Sequence, residues 1–248
     1  MGITIMENTG PATSTTGTSG STDTSGASGT PAPPAAEWVV PLVEKAVEKT
    51  HIPSVSEVAG TGKDPYKILI STVISLRTKD EVTLEASKRL FARAGDPETM
   101  LRLPKNTVEE LIYPAGFYRV KAGNILEISR IILETHAGVV PDDRETLLKL
   151  PGVGLKTANL TLSIGYGLPY ICVDTHVHRI SNRLGWVSTD TPEKTEQALM
   201  KVLPLPYRIP INELFVRFGQ AVCSPLSPRC SLCPLSERCP KIGVKKSR

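Results

Sequence analysis

The spacing of apolar side chains after residue 36 is helical over most of the chain. Two stripes have members three or four residues apart: Val82, Ala86 and Leu90, and Ile125, Ile128 and Ile132. Because residues at that spacing share one face of an α-helix, each stripe predicts a helix with one core-facing side. Only 5% of the residues are aromatic, and a core of Leu, Ile, Val and Ala favours packed helices over a β-sandwich. The pattern therefore predicts an all-α fold.

Polar residues, proline and glycine between these stripes predict where helices begin and end. Three pairs have the spacing of a helix start: Thr107 with Glu110, Asp142 with Glu145, and Thr191 with Pro192. The first two have the pattern of capping boxes and the third of an N-cap followed by the first helical residue, while Gly138 predicts a helix end. Two short apolar runs, 66–76 and 170–177, are rich in β-branched residues. Periodicity alone does not decide whether these runs are buried strands or buried helices.

Residues 1–36 differ in composition from the rest of the chain. They contain no Lys or Arg and are rich in Thr, Ser, Gly and Pro, so they cannot bury enough apolar surface to offset the entropy lost on ordering. We expect a disordered tail rather than a transit peptide, which would be rich in arginine. The N-terminus lacks the layout of a secretory signal, and no apolar run approaches the roughly 20 residues of a membrane span. We expect an intracellular protein that is not secreted and has no membrane partner, and a cytoplasmic, nucleoid-associated one if the organism is prokaryotic.

The chain carries a modest positive charge outside the tail. Its formal net charge is +4, and the tail holds two acidic residues, Glu7 and Asp23, so residues 37–248 carry +6. A basic surface suits phosphate groups, but many proteins with this charge bind no nucleic acid. Charge therefore permits DNA binding without identifying it.

The run LPGVGLKTA, from Leu150 to Ala158, stands between two helical stretches. Its two glycines, Gly152 and Gly154, permit unusual backbone angles and close approach of another backbone. The helix that follows would present free N–H groups and the positive end of its dipole, which together can bind a phosphate. An ordinary helix–helix turn with glycine at the cap explains the two glycines equally well, so the turn alone leaves both interpretations open.

Four cysteines lie within seventeen residues: Cys223, Cys230, Cys233 and Cys239. Disulfides are disfavoured in a reducing compartment, which leaves a structural zinc ion or an iron–sulfur cluster. Zinc sites commonly use two C-x2-C pairs, whereas the spacing here is C-x6-C-x2-C-x5-C, with a single such pair. The fifth cysteine, Cys172, lies in an apolar run and is predicted to be a buried packing residue.

Three of these segments resemble the endonuclease III family of DNA glycosylases. The run LPGVGLKTA resembles the family's helix-hairpin-helix, VDTHV at 173–177 resembles its catalytic-aspartate segment, and the cysteine spacing resembles its 4Fe-4S loop. The resemblance extends over about residues 37–240. It implies a bifunctional DNA glycosylase and AP lyase of base excision repair that excises oxidised pyrimidines. The implied partner is double-stranded DNA containing damaged pyrimidines or abasic sites, and the implied cofactor is a 4Fe-4S cluster held by the four cysteines.

By this resemblance Lys156 is the nucleophile and Asp174 its carboxylate partner. Cleavage of an N-glycosidic bond builds positive charge on the sugar, which a carboxylate stabilises. An amine that attacks C1′ leaves a Schiff base, which acidifies the C2′ proton and permits β-elimination of the 3′ phosphate. An oxygen nucleophile could not do this. Outside such motifs a lone Lys is usually a solvated surface residue and a lone Asp a cap or turn residue.

The resemblance also implies how the helices are arranged. A six-helix barrel over residues 58–168 would carry the helix-hairpin-helix at about 144–164. A helical iron–sulfur domain would combine 37–57 with 169–248 and include the cluster loop 223–239. The active site would lie in the cleft between these two domains. We expect the protein to be a monomer.

Six residues are candidate DNA contacts: Gly152, Val153 and Gly154 of the hairpin turn, Arg77, Phe117 and Arg229. Arg77 stands where the family has glutamine, and an arginine in the gap left by an extruded base would favour guanine or phosphate acceptors. Phe117 stands where the family often has leucine and is either an apolar wedge or a core residue. Arg229 is either a phosphate contact or an ordinary surface arginine. His176 and His178 are interpreted as structural or close to DNA, since residues two apart do not share a helix face.

Two other functions are compatible with parts of the sequence. A mismatch-specific glycosylase of the same superfamily would lack the lysine at position 156. A non-catalytic DNA-binding or redox iron–sulfur protein would need neither Lys156 nor Asp174. The presence of both residues favours the bifunctional enzyme.

Overall fold

The computed structural model of the protein describes residues 32–60 and 62–248, and its regular structure is helical. Thirteen α-helices occur in these residues: α1 (Ala36–Val47), α2 (Ser54–Gly60), α3 (Pro65–Ser75), α4 (Asp80–Arg93), α5 (Pro97–Leu101), α6 (Lys105–Ile112), α7 (Tyr118–Thr135), α8 (Arg144–Leu148), α9 (Leu155–Leu160), α10 (Thr175–Arg183), α11 (Pro192–Val202), α12 (Leu205–Arg208) and α13 (Ile211–Ala221). A π-helical turn, Thr161–Gly165, continues α9, and a 3₁₀ turn, Cys230–Leu232, lies in the cysteine-rich loop. No strand occurs in the two described ranges, so the predicted all-α fold is confirmed. None of the described helices is long and apolar enough to cross a membrane.

Buried apolar side chains form two large clusters and one small one. The first large cluster is built from residues 66–162 and centres on α3, α4 and α7. The second joins α1 to residues 171–235, with Phe215 and Phe218 of α13 among its largest buried side chains. The small cluster has five members: Val55, Ala59, Ile68, Leu160 and Cys172. The boundaries of the two expected domains stay predictions.

One predicted helix start and one predicted helix end match the structure. The Thr191 hydroxyl caps α11 by accepting from the Lys194 amide at 3.3 Å, and Pro192 is the first helical residue. Helix α7 ends at Thr135, and Gly138 follows it with a left-handed φ of +81°. Glycine tolerates that backbone conformation without a steric penalty.

The two predicted capping boxes are wrong. Asp143, not Asp142, caps α8, and its carboxylate accepts from the Thr146 amide at 2.8 Å. Thr107 lies inside α6, because that helix already begins directly after Pro104, whose ring fixes its φ. In both cases the local backbone, rather than the spacing to a glutamate, sets the first helical residue.

Neither of the two ambiguous apolar runs is a strand. Residues 66–75 belong to α3, which Asp64 caps by accepting from the amides of Tyr66 at 2.9 Å and Lys67 at 3.3 Å. Residues 170–174 form a non-helical segment that leads directly into α10. The resemblance to a helical family predicted this outcome, and periodicity did not.

The chain already packs against the rest of the protein before residue 36, the predicted end of the tail. Pro34 is buried, and its carbonyl oxygen accepts from the indole Nε1 of Trp186 at 2.6 Å. Ala36 is also buried and begins α1. The rest of the expected disordered tail, residues 1–31, lies outside the described residues.

Arg217 of α13 binds the C-terminal end of α1. Its Nη2 donates to the carbonyl oxygens of Val47 at 2.5 Å and Thr50 at 3.1 Å, and its Nε donates to the Thr50 hydroxyl at 3.0 Å. A helix end leaves carbonyl groups without intrahelical partners, and the guanidinium group supplies partners here. Arg217 and Thr50 are 167 residues apart in the sequence.

Candidate active site

The turn between α8 and α9 contains two glycines in different surroundings. Gly152 has a left-handed φ of +74°, and a Cβ there would lie 2.5 Å from the side-chain nitrogen of Asn124. Gly154 has an extended backbone, and a Cβ there would meet nothing within 4 Å. The packing of the protein therefore requires glycine at position 152 but leaves the space around Gly154 open.

Val153 lies between the two glycines and faces inward. Its side chain belongs to the first apolar cluster and is 7% exposed. Its amide donates to the carbonyl oxygen of Leu150 at 3.2 Å. The Val153 side chain thus anchors the turn, and a DNA contact at this residue stays a prediction.

Lys156 lies in the first turn of α9, two residues after Gly154, and is partly exposed. Cys172 lies behind it, and its thiol donates to the Lys156 carbonyl oxygen at 3.7 Å. Cys172 is 1% exposed, and burial raises the pKa of its thiol to about 12. The prediction that Cys172 is a buried packing residue is confirmed.

Asp174 caps the N-terminus of α10. Its Oδ1 accepts from the backbone amides of His176 and Val177, both at 2.9 Å. These two bonds fix the carboxylate at the helix start, where backbone N–H groups lack intrahelical partners. The position of Asp174 is therefore set by the fold of its own segment.

Lys156 and Asp174 line the same cavity, which has a volume of about 230 Å³. The walls come from the start of α2, the α3–α4 connection, α9, the start of α10, and α13. Polar side chains contribute to these walls: Ser54, Ser56, Ser75, Thr78, Asp80, His176, Asn212 and Gln220. Two residues eighteen positions apart in the sequence are thus brought into one site by the fold.

Asp80 stabilises one wall of this cavity through hydrogen bonds. Its carboxylate accepts from the Ser54 amide at 3.0 Å and from the Ser54 hydroxyl at 2.7 Å. These bonds tie the start of α2 to the start of α4. No sequence motif indicates this role, because an acidic residue at a helix start is common on structural grounds alone.

His176 belongs to the cavity wall and is half-buried. Burial lowers the pKa of the His176 imidazole below its usual value, and the positive charges of Arg179 and Lys156 lower it further, whereas Asp174 acts in the opposite direction. Its Nδ1 lies 3.1 Å from Nη2 of Arg179. A Cβ on Gly219 would collide with the ring, so α13 can approach His176 only with glycine at that position.

Arg77 and Phe117, which lie forty residues apart in the sequence, meet at the surface. Both have a left-handed backbone, with φ of +52° and +57°. This conformation costs roughly 1–2 kcal/mol for a residue with a Cβ. The guanidinium carbon of Arg77 lies 5.5 Å from the centre of the Phe117 ring. Phe117 is 63% exposed, so the alternative that it packs in the core is wrong.

The four clustered cysteines line one cavity beside α10 and α13. Within the described ranges, no three His, Cys, Asp or Glu side chains converge closely enough to hold a single metal ion. Burial raises the pKa of the Cys233 thiol to about 11, so a thiolate here needs a compensating cation. Four thiols around a cavity fit a multi-iron cluster better than the tetrahedral site of one zinc ion.

Arg183 of α10 holds the beginning of the cysteine-rich loop and is 9% exposed. Its Nη1 donates to the Ser224 carbonyl oxygen at 2.8 Å and lies 3.2 Å from the Cys223 sulfur. Its Nη2 donates to the Pro225 carbonyl oxygen at 2.8 Å. No sequence motif indicates a role for Arg183. Arg229, in the same loop, is exposed, and its role as a phosphate contact stays a prediction.

Comparison with known proteins gives consistent matches. Residues 70–205 match the family model described as HhH-GPD superfamily base excision DNA repair protein. Endonuclease III of Thermotoga maritima is 52% identical over 176 residues, which cover 71% of this chain and 83% of that protein. A solved non-covalent endonuclease III–DNA complex matches with a TM-score of 0.72 and 34% identity over 82% of this chain and 92% of that chain. A trapped endonuclease III–DNA covalent intermediate, an estranged-adenine complex, matches with a TM-score of 0.70 and 33% identity over 82% and 93%.

The helical fold and the family match define a base excision DNA repair protein of the HhH-GPD superfamily. Within that superfamily, the chain belongs to the endonuclease III family. It is a DNA glycosylase with AP lyase activity.

Proposed function

We propose that this protein excises oxidised pyrimidines from duplex DNA and then cleaves the strand by β-elimination through a Schiff base on Lys156. The observation that carries the proposal is that Lys156 and Asp174 line one cavity. The similarity to endonuclease III, including two structures solved with DNA, supports damaged duplex DNA as the substrate. Both reactive residues come from the same chain, so a monomer suffices.

Asp174 acts on the first step, the loss of the base. Positive charge develops on the sugar as the C1′–N bond breaks, and a fixed carboxylate stabilises it without reorganising. Because the helix cap occupies Oδ1, Oδ2 is the oxygen available to face the sugar and to take a proton from the attacking amine. The cap holds the carboxylate ready for this role.

Lys156 connects base loss to strand cleavage. Its Nζ forms a bond to C1′ and passes a proton to Asp174, and the base leaves with the electron pair of the C1′–N bond and takes up a proton. The sugar ring opens as the amine becomes an imine. The imine acidifies C2′, and when the C2′ proton leaves, the C3′–O bond breaks and the phosphate departs with its electron pair.

The hairpin turn is proposed to seat the DNA backbone. Phosphate groups are held by backbone N–H groups and basic side chains, which fix the position of the duplex. The open space around Gly154 gives a phosphate access to the backbone of the turn, next to Lys156. Val153 anchors the turn from within, Gly152 gives the turn its left-handed backbone, and Arg229 adds a second phosphate contact in the cysteine-rich loop.

The 4Fe-4S cluster is proposed to be held by the four cysteines that line the cavity beside α10: Cys223, Cys230, Cys233 and Cys239. The cluster supplies a covalent cross-link that shapes the loop. Arg183 supports the same loop through hydrogen bonds from α10, and the loop presents Arg229 to DNA. The bond-breaking groups lie in the other cavity.

Borohydride trapping tests the role of Lys156. Wild-type protein incubated with an abasic duplex and borohydride should form a stable covalent adduct, because reduction of the imine fixes the amine to C1′. Lys156→Gln should abolish both the adduct and strand cleavage and retain DNA binding. Lys149→Gln is the matched control, because this exposed lysine follows α8 at the other end of the hairpin turn and should react like wild type. An adduct in Lys156→Gln would assign the nucleophile to another amine.

Asp174→Asn tests the carboxylate separately from the fold. Asparagine caps helices about as well as aspartate, so α10 should remain intact. Release of a damaged base should fall by roughly 10²-fold to 10⁴-fold, as for a lost acid–base group. Cleavage at a preformed abasic site should fall less, since no glycosidic bond remains there. Equal losses in the two assays would contradict the proposed division of roles.

A panel of duplexes, each with one altered base, tests the substrate class. We expect excision of oxidised pyrimidines. Removal of a normal base from a mismatch, with oxidised pyrimidines left in place, would instead support a mismatch-specific glycosylase. Intact strands throughout, including at abasic sites, would indicate a DNA-binding or redox protein without catalysis.

A further inference from the structure

Two loops carry exposed residues in a left-handed conformation. The first joins α3 to α4 and contains Arg77, and the second precedes α7 and contains Phe117. Few residues with a Cβ adopt this conformation, and those that do are held there by their surroundings. The groups beneath the two loops supply that restraint.

The two loops are in direct contact. The distance of 5.5 Å between the Arg77 guanidinium carbon and the centre of the Phe117 ring is that of a cation–π pair. Gly116 lies so close to Arg77 that a Cβ at residue 116 would collide with the Arg77 carbonyl oxygen. The Gly116 amide donates to the Thr78 hydroxyl at 3.0 Å. Arg77 and Phe117 therefore share one support.

The ammonium group of Lys121 lies beneath this contact. Lys121 is in the first turns of α7 and is only 5% exposed. Its Nζ donates to the carbonyl oxygens of Ile74 at 2.7 Å and Leu76 at 2.5 Å, and to the Thr78 hydroxyl at 2.8 Å. An ammonium group has three donors, and all three are directed at the end of α3 and the loop that follows it.

The Thr78 hydroxyl links the two loops. It accepts from Lys121 and from the Gly116 amide, and it donates to the Leu76 carbonyl oxygen at 3.3 Å. A hydroxyl group offers one donor and two acceptor positions, so all three are used. Loss of this oxygen would remove the acceptor of the Gly116 amide and one acceptor of a buried ammonium group.

We infer that Lys121 and Thr78 are positioning residues that hold Arg77 and Phe117, the two DNA contacts predicted from the family resemblance, as one preassembled wedge. The inference rests on the proposed function, since an enzyme that extrudes a nucleotide must fill the gap that remains. The Arg77 guanidinium group offers donors to the orphaned base, and the Phe117 ring offers an apolar face for stacking. Because their support is shared, a disturbance beneath one of them displaces both.

Substitutions at Thr78 test whether its hydroxyl holds the two loops, with little change in side-chain volume. Thr78→Val removes the hydroxyl, and Thr78→Ser retains it. Lys121→Met would remove a buried charge and can prevent folding. The test therefore uses the two Thr78 variants, which leave Lys121 in place. Tyr66→Phe is the matched control, because it removes a buried hydrogen bond of 2.7 Å between the same two helices, from Tyr66 in α3 to Ser129 in α7, away from both loops.

The first measurement uses a duplex with 2-aminopurine opposite an uncleavable tetrahydrofuran abasic analogue. Binding of wild-type protein should raise the fluorescence, because the wedge unstacks the orphaned base. Thr78→Val should lose most of this rise while the duplex stays bound, and Thr78→Ser and Tyr66→Phe should retain it. A full rise in Thr78→Val, or an equal loss in Tyr66→Phe, would overturn the inference.

The second measurement compares excision rates for one lesion opposite each of the four bases. Thr78→Val should lower the excision rate opposite the preferred base by up to about 100-fold, as expected for a group displaced by an ångström or so. The excision rates opposite the four bases should therefore differ less than in wild type. Equal losses opposite all four bases would refute a positioning role. Failure of the proposed function can be told apart from failure of this inference. A wild-type protein that forms no borohydride adduct would refute the Schiff base. The fluorescence experiment tests the wedge alone, because it requires no bond cleavage.

Discussion

Gly152 and Gly154 lie two residues apart, yet the fold constrains only the first. Gly154→Ala places a methyl group in open space, so the free energy of unfolding should stay unchanged. Gly152→Ala forces alanine into a left-handed backbone and against Asn124, and should lower the free energy of unfolding by at least roughly 1–2 kcal/mol. Denaturant unfolding of the two variants measures this difference.

For DNA binding, by contrast, Gly154 should be the sensitive position. The methyl group of Gly154→Ala would stand where a phosphate approaches the turn, so affinity for a duplex with an uncleavable abasic analogue should fall although the protein is fully folded. Binding at several salt concentrations reports whether a phosphate contact is lost. Wild-type affinity in Gly154→Ala would remove this turn from the proposed DNA surface.

Among the elements, α10 connects the active site to the cysteine-rich loop. Asp174 caps its start and Arg183 is its last residue. Nine residues of α-helix span about 14 Å. Support of the loop and placement of the catalytic carboxylate therefore depend on the same rigid element.

Arg183→Met should release the loop. The substitution keeps an apolar stem but leaves the Ser224 and Pro225 carbonyl groups without their donors, so the loop loses two hydrogen bonds that tie it to α10. Wild-type protein purified in air should be yellow-brown with about four irons per chain, and the variant should lose iron and absorbance faster. Iron analysis and visible absorbance over time measure both.

Arg208→Met is the control for that experiment. Arg208 also donates to two carbonyl groups, those of Leu203 at 3.0 Å and Met200 at 2.7 Å, but at the end of α11. It should retain iron like wild type. Equal iron loss in both variants would indicate general destabilisation, and a colourless wild-type protein that contains zinc would contradict the cluster itself.

The elements were easier to predict from the sequence than their ends. Apolar spacing indicates a helix whatever its first residue, whereas a cap depends on which side chain reaches a free amide. Asp142 and Asp143 are adjacent and chemically identical, and only the backbone geometry selects Asp143. At the start of α11, Thr191 and Pro192 provide both a cap and a fixed φ, so that start could be predicted.

Sequence motifs predicted the catalytic residues but not the residues that support the site. The motifs predicted that Lys156 and Asp174 act together, and the fold places both in one cavity. Lys121 and Arg183 had no motif, and an isolated basic residue usually lies at the surface. Their burial depends on carbonyl groups 47 and 41 residues away in the sequence, and spacing along the chain does not reveal such contacts.

For the whole molecule, His176 makes stability depend on pH. Burial lowers its pKa below the usual 6.5 in the folded state, so below that pH the unfolded chain takes up the proton first. The free energy of unfolding should therefore fall as the pH falls from 7 to 5, by at most about 1.4 kcal/mol per pH unit from this group. His176→Gln should flatten the dependence. Unfolding curves at pH 7, 6 and 5 test this, and parallel trends in the two proteins would contradict it.

The attachment of α1 to α13 has a consequence during synthesis of the chain. The valine face of α1 packs in the cluster that contains α13, and its end is held by Arg217, 167 residues after Thr50. At roughly 5–20 residues per second, a ribosome needs about 8–33 s to make that stretch. The middle of the chain, with its own cluster at residues 66–162, can fold in the meantime. Until α13 emerges, the valine face of α1 lacks the helix that it packs against most, so α1 is a segment of the nascent chain that a chaperone would meet.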